Sequence, residues 1–164
     1  MDRLWSPWRL AYVTASHPPS DCIFCDACAD LDAELVQLRG RSCFVILNLY
    51  PYNNGHLMVV PNRHIKMLAE LAAGEQAELM AMVRWAEMAL TEAYRPQGLN
   101  VGINLGRAAG AGIENHLHVH LVPRWTGDTN FMTAVAETRV LPEELRQTAA
   151  RLRPILERLA RQGA

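Results

Sequence analysis

The chain has 164 residues, 50% of them hydrophobic and 20% charged, with a formal net charge of -1. This is globular composition at the size of one domain, which excludes a fibrous or disordered chain. Near-neutral charge also argues against binding a nucleic-acid polymer through bulk electrostatics, while leaving room for a local phosphate pocket.

No apolar run is long enough to span a membrane; the longest, "CFVILNLY", is interrupted by Asn48. The N-terminal "MDRLWSPWRLAYV" mixes charges and proline into its apolar residues, unlike a secretory signal. The expected setting is the cytoplasm, where the 4 cysteines serve as thiols or metal ligands rather than disulfides.

Residues 1–20 read as an irregular extension, since Pro7, Pro18 and Pro19 deny regular structure and Trp5 and Trp8 need a surface to pack on. "CIFCDAC" follows, then a short acidic and apolar stretch over 29–38. Residues 42–61 have hairpin chemistry, two aliphatic runs around the turn formers of "YPYNNG". Leu68 and Leu71 suggest a short helical turn that ends near Gly74.

Apolar residues at three- and four-residue steps from Leu79 to Ala93 predict a long helix from about Glu75 to Tyr94, stopped by Pro96 and Gly98. Core packing explains most of its methionines, Met80, Met82 and Met88, better than a cofactor does. Over 98–106, Leu99, Val101, Ile103 and Leu105 alternate with Asn100 and Asn104 as in a strand. A glycine-rich loop, "GRAAGAG", leads to "NHLHVHLVPRW". From Pro142 to about Arg161 the pattern is again helical, with Pro142 suited to a first turn and Pro154 expected to break or kink it. The sum is one α+β domain over 1–164, an antiparallel sheet of about five strands with one long and one or two shorter helices.

Three of the 6 histidines stand at alternate positions, His116, His118 and His120. On a strand they share one face and Leu117, Val119 and Leu121 the other; on a helix His118 would point away from its neighbours. Three imidazoles on one face can hold a catalytic metal with an open position. They can also supply a nucleophile whose other ring nitrogen is hydrogen-bonded to fix its tautomer. The residues alone leave both open. Cys22 and Cys25 form a C-x-x-C pair without the strand–helix setting of a redox motif, and a structural zinc there needs two more ligands.

The triad followed by two apolar residues, with the glycine loop before it and "GHLMVVPNRH" upstream, resembles the histidine triad superfamily of nucleotide hydrolases and transferases. "WSPWR" and "PRWTGDTNF" resemble its diadenosine tetraphosphate phosphorylase branch. The resemblance implies that His118 is a nucleophile forming a covalent nucleotidyl-imidazole, that His120 contacts the phosphate, and that His56 supports the triad. It further implies that Asn48 holds ribose hydroxyls, as an amide that donates and accepts suits a diol, and that Asn104 lies near the phosphates. The N–H groups of Gly110, Ala111 and Gly112 would cradle phosphate oxygens. Typical hydrolases of the family carry Gln and then Ser or Thr after the glycine; Ala111 and Gly112 stand here, which leaves room for phosphate as an acceptor. Trp125 would stack on a purine, although packing on the sheet edge accounts for it equally well. Several histidine triad proteins, and the related galactose-1-phosphate uridylyltransferases, resemble this chain in joining a C-x-x-C pair to two histidines. This implies structural zinc on Cys22, Cys25, His64 and His116, with Cys28 a substitute and Cys43 in the core; no organic cofactor is expected.

The reaction so implied is phosphorolysis of diadenosine tetraphosphate to ADP and ATP by a homodimer, with nucleotide and phosphate as partners and no membrane. The alternatives are a hydrolase using water, a metal hydrolase with zinc on all three histidines, and a zinc-stabilised nucleotide-binding module.

Overall fold

Gly55 turns the hairpin at the centre of the sheet: its φ of +77° suits glycine, and a Cβ there would come within 2.9 Å of Leu90 and Tyr94 side chains. The computed structural model describes residues 22–31, 33–128 and 143–163. The expectations for Trp5, Trp8, the prolines of the extension, "TNF" and Pro142 fall outside these.

A short helix α1 (Ile23–Ala29) precedes strands β1 (Val36–Arg39), β2 (Cys43–Leu47) and β3 (Leu57–Pro61). Then come the long helix α2 (Ala73–Tyr94), β4 (Gly98–Gly102), β5 (Val119–Arg124) and α3 (Leu145–Gln162). The five strands form one antiparallel sheet in the order β1-β2-β3-β5-β4. The hairpin of 42–61 is present, Cys43 pairing with Pro61 through to Leu47 with Leu57.

Alternation along β2 and β3 divides the core between the faces of the sheet. Cys43, Val45, Leu47, Leu57 and Val59 meet Leu79, Met82, Val83, Ala86 and Leu90 of α2 and Leu152, Leu156 and Leu159 of α3. On the other face Phe44, Ile46, Met58 and Val60 meet Val36 and Phe24 of α1. Phe24 is fully buried, a burial that contributes about 2–3 kcal/mol.

Helix α2 starts two residues before the expected Glu75, and Glu75 accepts the Ala72 N–H at 2.8 Å, a carboxylate in the first turn. It ends where Arg95 turns left-handed, φ +45°, ahead of Pro96. The expected turn at Leu68 is a 3-10 turn, Leu68–Glu70.

Two expectations need correction. Helix α3 runs unbroken through Pro154, because Thr148, Leu152, Leu156 and Leu159 keep both halves seated in the core. The strand expected over 98–106 leaves the sheet after Gly102. It is an edge strand, so Val101 (50% exposed) and Leu105 (37%) lie open while Leu99 and Ile103 pack. The stretch 29–38, which carried no assigned element, ends in β1.

Candidate active site

The paired part of the histidine segment begins only at Val119. His116 and His118 approach it in the chain just before, where the Leu117 N–H donates to the Ile65 carbonyl at 2.6 Å. Of the three, only His120 lies within the ladder, opposite Met58 on one side and Gly102 on the other. His116 and His118 are buried.

Each imidazole has its own partners, and backbone groups fix the proton positions. His118 donates from Nδ1 to the carbonyl of His116 at 2.8 Å. In the neutral ring that leaves the lone pair on Nε2. His116 donates from Nε2 to the Pro61 carbonyl at 2.8 Å, leaving its lone pair on Nδ1. The Tyr52 N–H donates to His56 Nδ1 at 3.1 Å, so the proton of His56 sits on Nε2 and is donated to His120 Nδ1 at 3.0 Å. His120 therefore presents an N–H from Nε2. Its ring lies 4.7 Å from that of His118, edge to face.

Burial lowers the pKa of all three triad histidines, with His120 brought down to about 4 by burial and then by the neighbouring His118. Near neutral pH the site thus offers an uncharged imidazole lone pair on His118 and an uncharged donor on His120. That pairing suits nucleophilic attack on phosphorus with a hydrogen bond to a phosphate oxygen.

Asn48 stands beside His56, and its side-chain oxygen accepts the Tyr50 N–H at 2.9 Å, closing an Asx turn. Asn104 is held weakly, its amide 3.5 Å from the Gly110 carbonyl. In the glycine loop, the Gly110 N–H goes to the Arg107 carbonyl at 2.9 Å and the Ala111 N–H to that of Gly106 at 3.4 Å. Two of the three amides expected to cradle phosphate are thus committed to a 3-10 turn (Arg107–Ala109) and its exit. Trp125 is half-buried and its backbone N–H donates to the Asp128 carboxylate at 3.1 Å.

Behind the triad, Cys22, Cys25, His64 and His116 bring one ligand atom each to within 4.8 Å of one another. His116 Nδ1 lies 3.1 Å from Cys22 Sγ and 3.6 Å from Cys25 Sγ, and His64 Nδ1 lies 3.2 Å from Cys25 Sγ. Burial first, and then the adjacent Cys22, push the Cys25 thiol up to about 11. Two sulfurs and two imidazole nitrogens at this spacing fit a tetrahedral dication, which would also remove the reluctance of Cys25 to ionise. Cys28 is outside the cluster. Cys43 is fully buried in β2, its thiol pushed to about 12 by burial. The three triad rings do not converge on one point: His116 faces the cysteines, His118 the carbonyl of His116, and His120 faces His56. That arrangement disfavours a three-histidine metal site.

A cleft of about 330 Å³ opens beside His120, lined also by Tyr52, Asn53, Asn100, Arg124 and Asp128. Sequence reasoning did not single out these five. Arg124 and Asp128 lie at even steps after His120, while Tyr52, Asn53 and Asn100 come from other segments and carry no shared spacing.

A model of the HIT domain matches residues 32–127. The chain belongs to the histidine triad (HIT) family. This HIT protein is 43% identical over 157 residues to the AP-4-A phosphorylase of Mycobacterium tuberculosis, with 90% of this chain and 80% of that protein covered. It is 33% identical over 90 residues to an asymmetrical bis(5'-nucleosyl)-tetraphosphatase of Schizosaccharomyces pombe, over 55% of this chain and 49% of that one. Among solved structures, a zinc-bound histidine triad protein of Mycobacterium smegmatis superposes with a TM-score of 0.69 at 25% identity, covering 87% of this chain and 98% of the other. A histidine triad nucleotide-binding protein of Sulfolobus tokodaii gives 0.68 at 29% identity, over 86% and 95%. The five-stranded antiparallel sheet is the HIT fold, and the chain is an enzyme of the HIT nucleotidyltransferase and hydrolase type. No helix among the described residues is long and apolar enough to cross a membrane.

Proposed function

We propose that this enzyme is a diadenosine tetraphosphate phosphorylase working through adenylylated His118. The observation that carries the reading is the bond from His118 Nδ1 to its neighbour's carbonyl, which commits the other nitrogen to attack. The likeness to an AP-4-A phosphorylase supports the choice of substrate.

His118 Nε2 attacks the α-phosphorus; a P–N bond forms, the P–O bond to the remaining polyphosphate breaks, and ATP departs with that oxygen. The ring, now carrying phosphorus on one nitrogen and a proton on the other, is cationic, and the His116 carbonyl stabilises it. His120, oriented by His56, donates its Nε2 proton as a hydrogen bond to a phosphate oxygen. Inorganic phosphate then attacks the same phosphorus, P–N breaks, and ADP leaves. Little covalent help is needed beyond positioning and charge stabilisation. Asn48 and Asn104 would hold the ribose and phosphates, Trp125 a purine, and the Gly110–Gly112 backbone a phosphate oxygen, chiefly through the Gly112 N–H.

Cys22, Cys25, His64 and His116 would hold zinc, which supplies a structural tether between α1 and the histidine segment. The same set leaves His116 a role apart from the chemistry. The open edge of β4, with Val101 exposed, suits a homodimer, and free thiols suit the cytoplasm.

The deciding experiment is the product pattern with and without phosphate. ADP plus ATP formed only with phosphate supports phosphorolysis. AMP plus ATP formed without it makes the enzyme a hydrolase, and no turnover under either condition makes it a binding protein.

A further inference from the structure

The cleft begins at His120 and Asn104, the residues assigned above to the reacting phosphate, and continues beyond them to Arg124 and Asp128. His120, Val122 and Arg124 alternate on one face of β5, and the register sets Gly102, Asn100 and Gly98 of β4 opposite them. From His120 to Arg124 the strand runs about 13 Å away from the triad. The volume of about 330 Å³ is that of a small-ligand site.

Its charge is cancelled internally. Arg124 donates to Asp128 through Nε at 2.6 Å and Nη2 at 2.7 Å, a two-point ion pair. Asn53 donates to the same carboxylate at 2.8 Å and to the Pro123 carbonyl at 2.9 Å, locking the hairpin loop to the end of β5. Arg124 Nη1 donates to the side-chain oxygen of Asn100 at 2.8 Å. With that oxygen taken, Asn100 offers a ligand its amide N–H groups. At the mouth, the Tyr52 ring lies stacked on His56, centroids 5.1 Å apart, and is 49% exposed.

A neutral trough with amide donors and an aromatic at its mouth is poorly suited to a polyphosphate tail, which calls for unpaired cations. It suits a sugar and base. We infer that this trough seats the second nucleoside of a dinucleoside polyphosphate, with Asn100 as a specificity-determining residue and the Arg124–Asp128 pair positioning it. The inference rests on the adenylyl-transfer reading above and adds to it a preference for substrates capped by a nucleoside at both ends.

The test compares diadenosine tetraphosphate with adenosine 5'-tetraphosphate, which carries the same reacting half and no second nucleoside. Wild type is expected to favour the capped donor by about tenfold or more in kcat/KM, the scale of a few hydrogen bonds and a stacking contact. In Asn100→Ala that ratio is expected to fall at least about fivefold. Asn100→Ser, a milder change on an exposed edge strand, reports the same ratio should the alanine variant not fold. Equal use of both donors by wild type, or a ratio unmoved in the variants, overturns the subsite while leaving adenylyl transfer standing. If neither donor adenylylates wild type, the reaction reading falls and the subsite falls with it.

Discussion

His118 spends its Nδ1 proton on the backbone carbonyl of His116, 2.8 Å away and two residues earlier in the chain. The partner is main chain, so rotation of a neighbouring side chain cannot withdraw it. Replacing the ring should therefore remove the nucleophile without disturbing a network of side chains. His118→Ala is expected to lower kcat by at least about a thousandfold, the scale at which loss of a nucleophile is felt. Intact mass after mixing with diadenosine tetraphosphate should show an adenylyl adduct on wild type alone; an adduct on both proteins would refute the assignment.

His56 reaches the chemistry only through His120, at 3.0 Å. In His56→Phe the size is kept and the donated hydrogen bond is lost, so His120 can rotate or change tautomer. The expected result is a fall of about 10- to 100-fold in kcat with a smaller change in KM. A change confined to KM would place His56 in substrate binding instead.

The cluster of Cys22, Cys25, His64 and His116 should carry one zinc per chain, measurable by elemental analysis. Removing it frees α1 from the histidine segment. Cys25→Ser is expected to lose the metal and to lower Tm by about 5–10 °C, a few kcal/mol for a chain of this size. Wild-type metal content in the variant would remove Cys25 from the site.

Acid should weaken the fold through His120. Its folded pKa of about 4 lies below the ordinary 6.5. Across that window the unfolded chain takes up a proton that the folded chain resists. The stability from keeping the ring neutral is thus complete above pH 6.5 and is lost as the pH falls through about 4. Urea midpoints at pH 7.5, 5.5 and 4.5 should fall less steeply in His120→Asn than in wild type. Acid release of metal acts on both proteins, so the difference between them isolates His120, and parallel slopes would contradict it.

The elements that were legible in the sequence are those with strong periodicity. The helix from Leu79 to Ala93 announces itself by apolar residues at three- and four-residue steps, and the 42–61 hairpin by two wholly apolar runs around turn formers. The C-x-x-C pair and the triad marked their regions by residue type alone. Less visible were features set by distant contacts. Pro154 reads as a helix breaker locally, yet the buried leucines on either side of it decide the outcome. The strand propensity of Ile103 and Leu105 gives way to the edge position of β4. The glycine loop suggested three available amides, and only the folded turn shows two of them closed on Gly106 and Arg107. The lining residues Asn53, Asn100 and Asp128 come from three separate segments, and no spacing in the chain connects them.

The strand order joins two locally connected pieces: the β1-β2-β3 meander, and the β4–β5 arch that follows α2. Within the sheet they meet along β3 and β5, through Leu57 with Leu121, Met58 with His120 and Val59 with Val119. His56 lies at the end of one piece and His120 within the other, so the pair that orients the chemistry straddles the join. Neither half can form that pair alone. Catalytic competence is in this sense a readout of assembly, gained when the two halves close on each other and lost as soon as the seam opens, even while each half keeps its own hydrogen bonds.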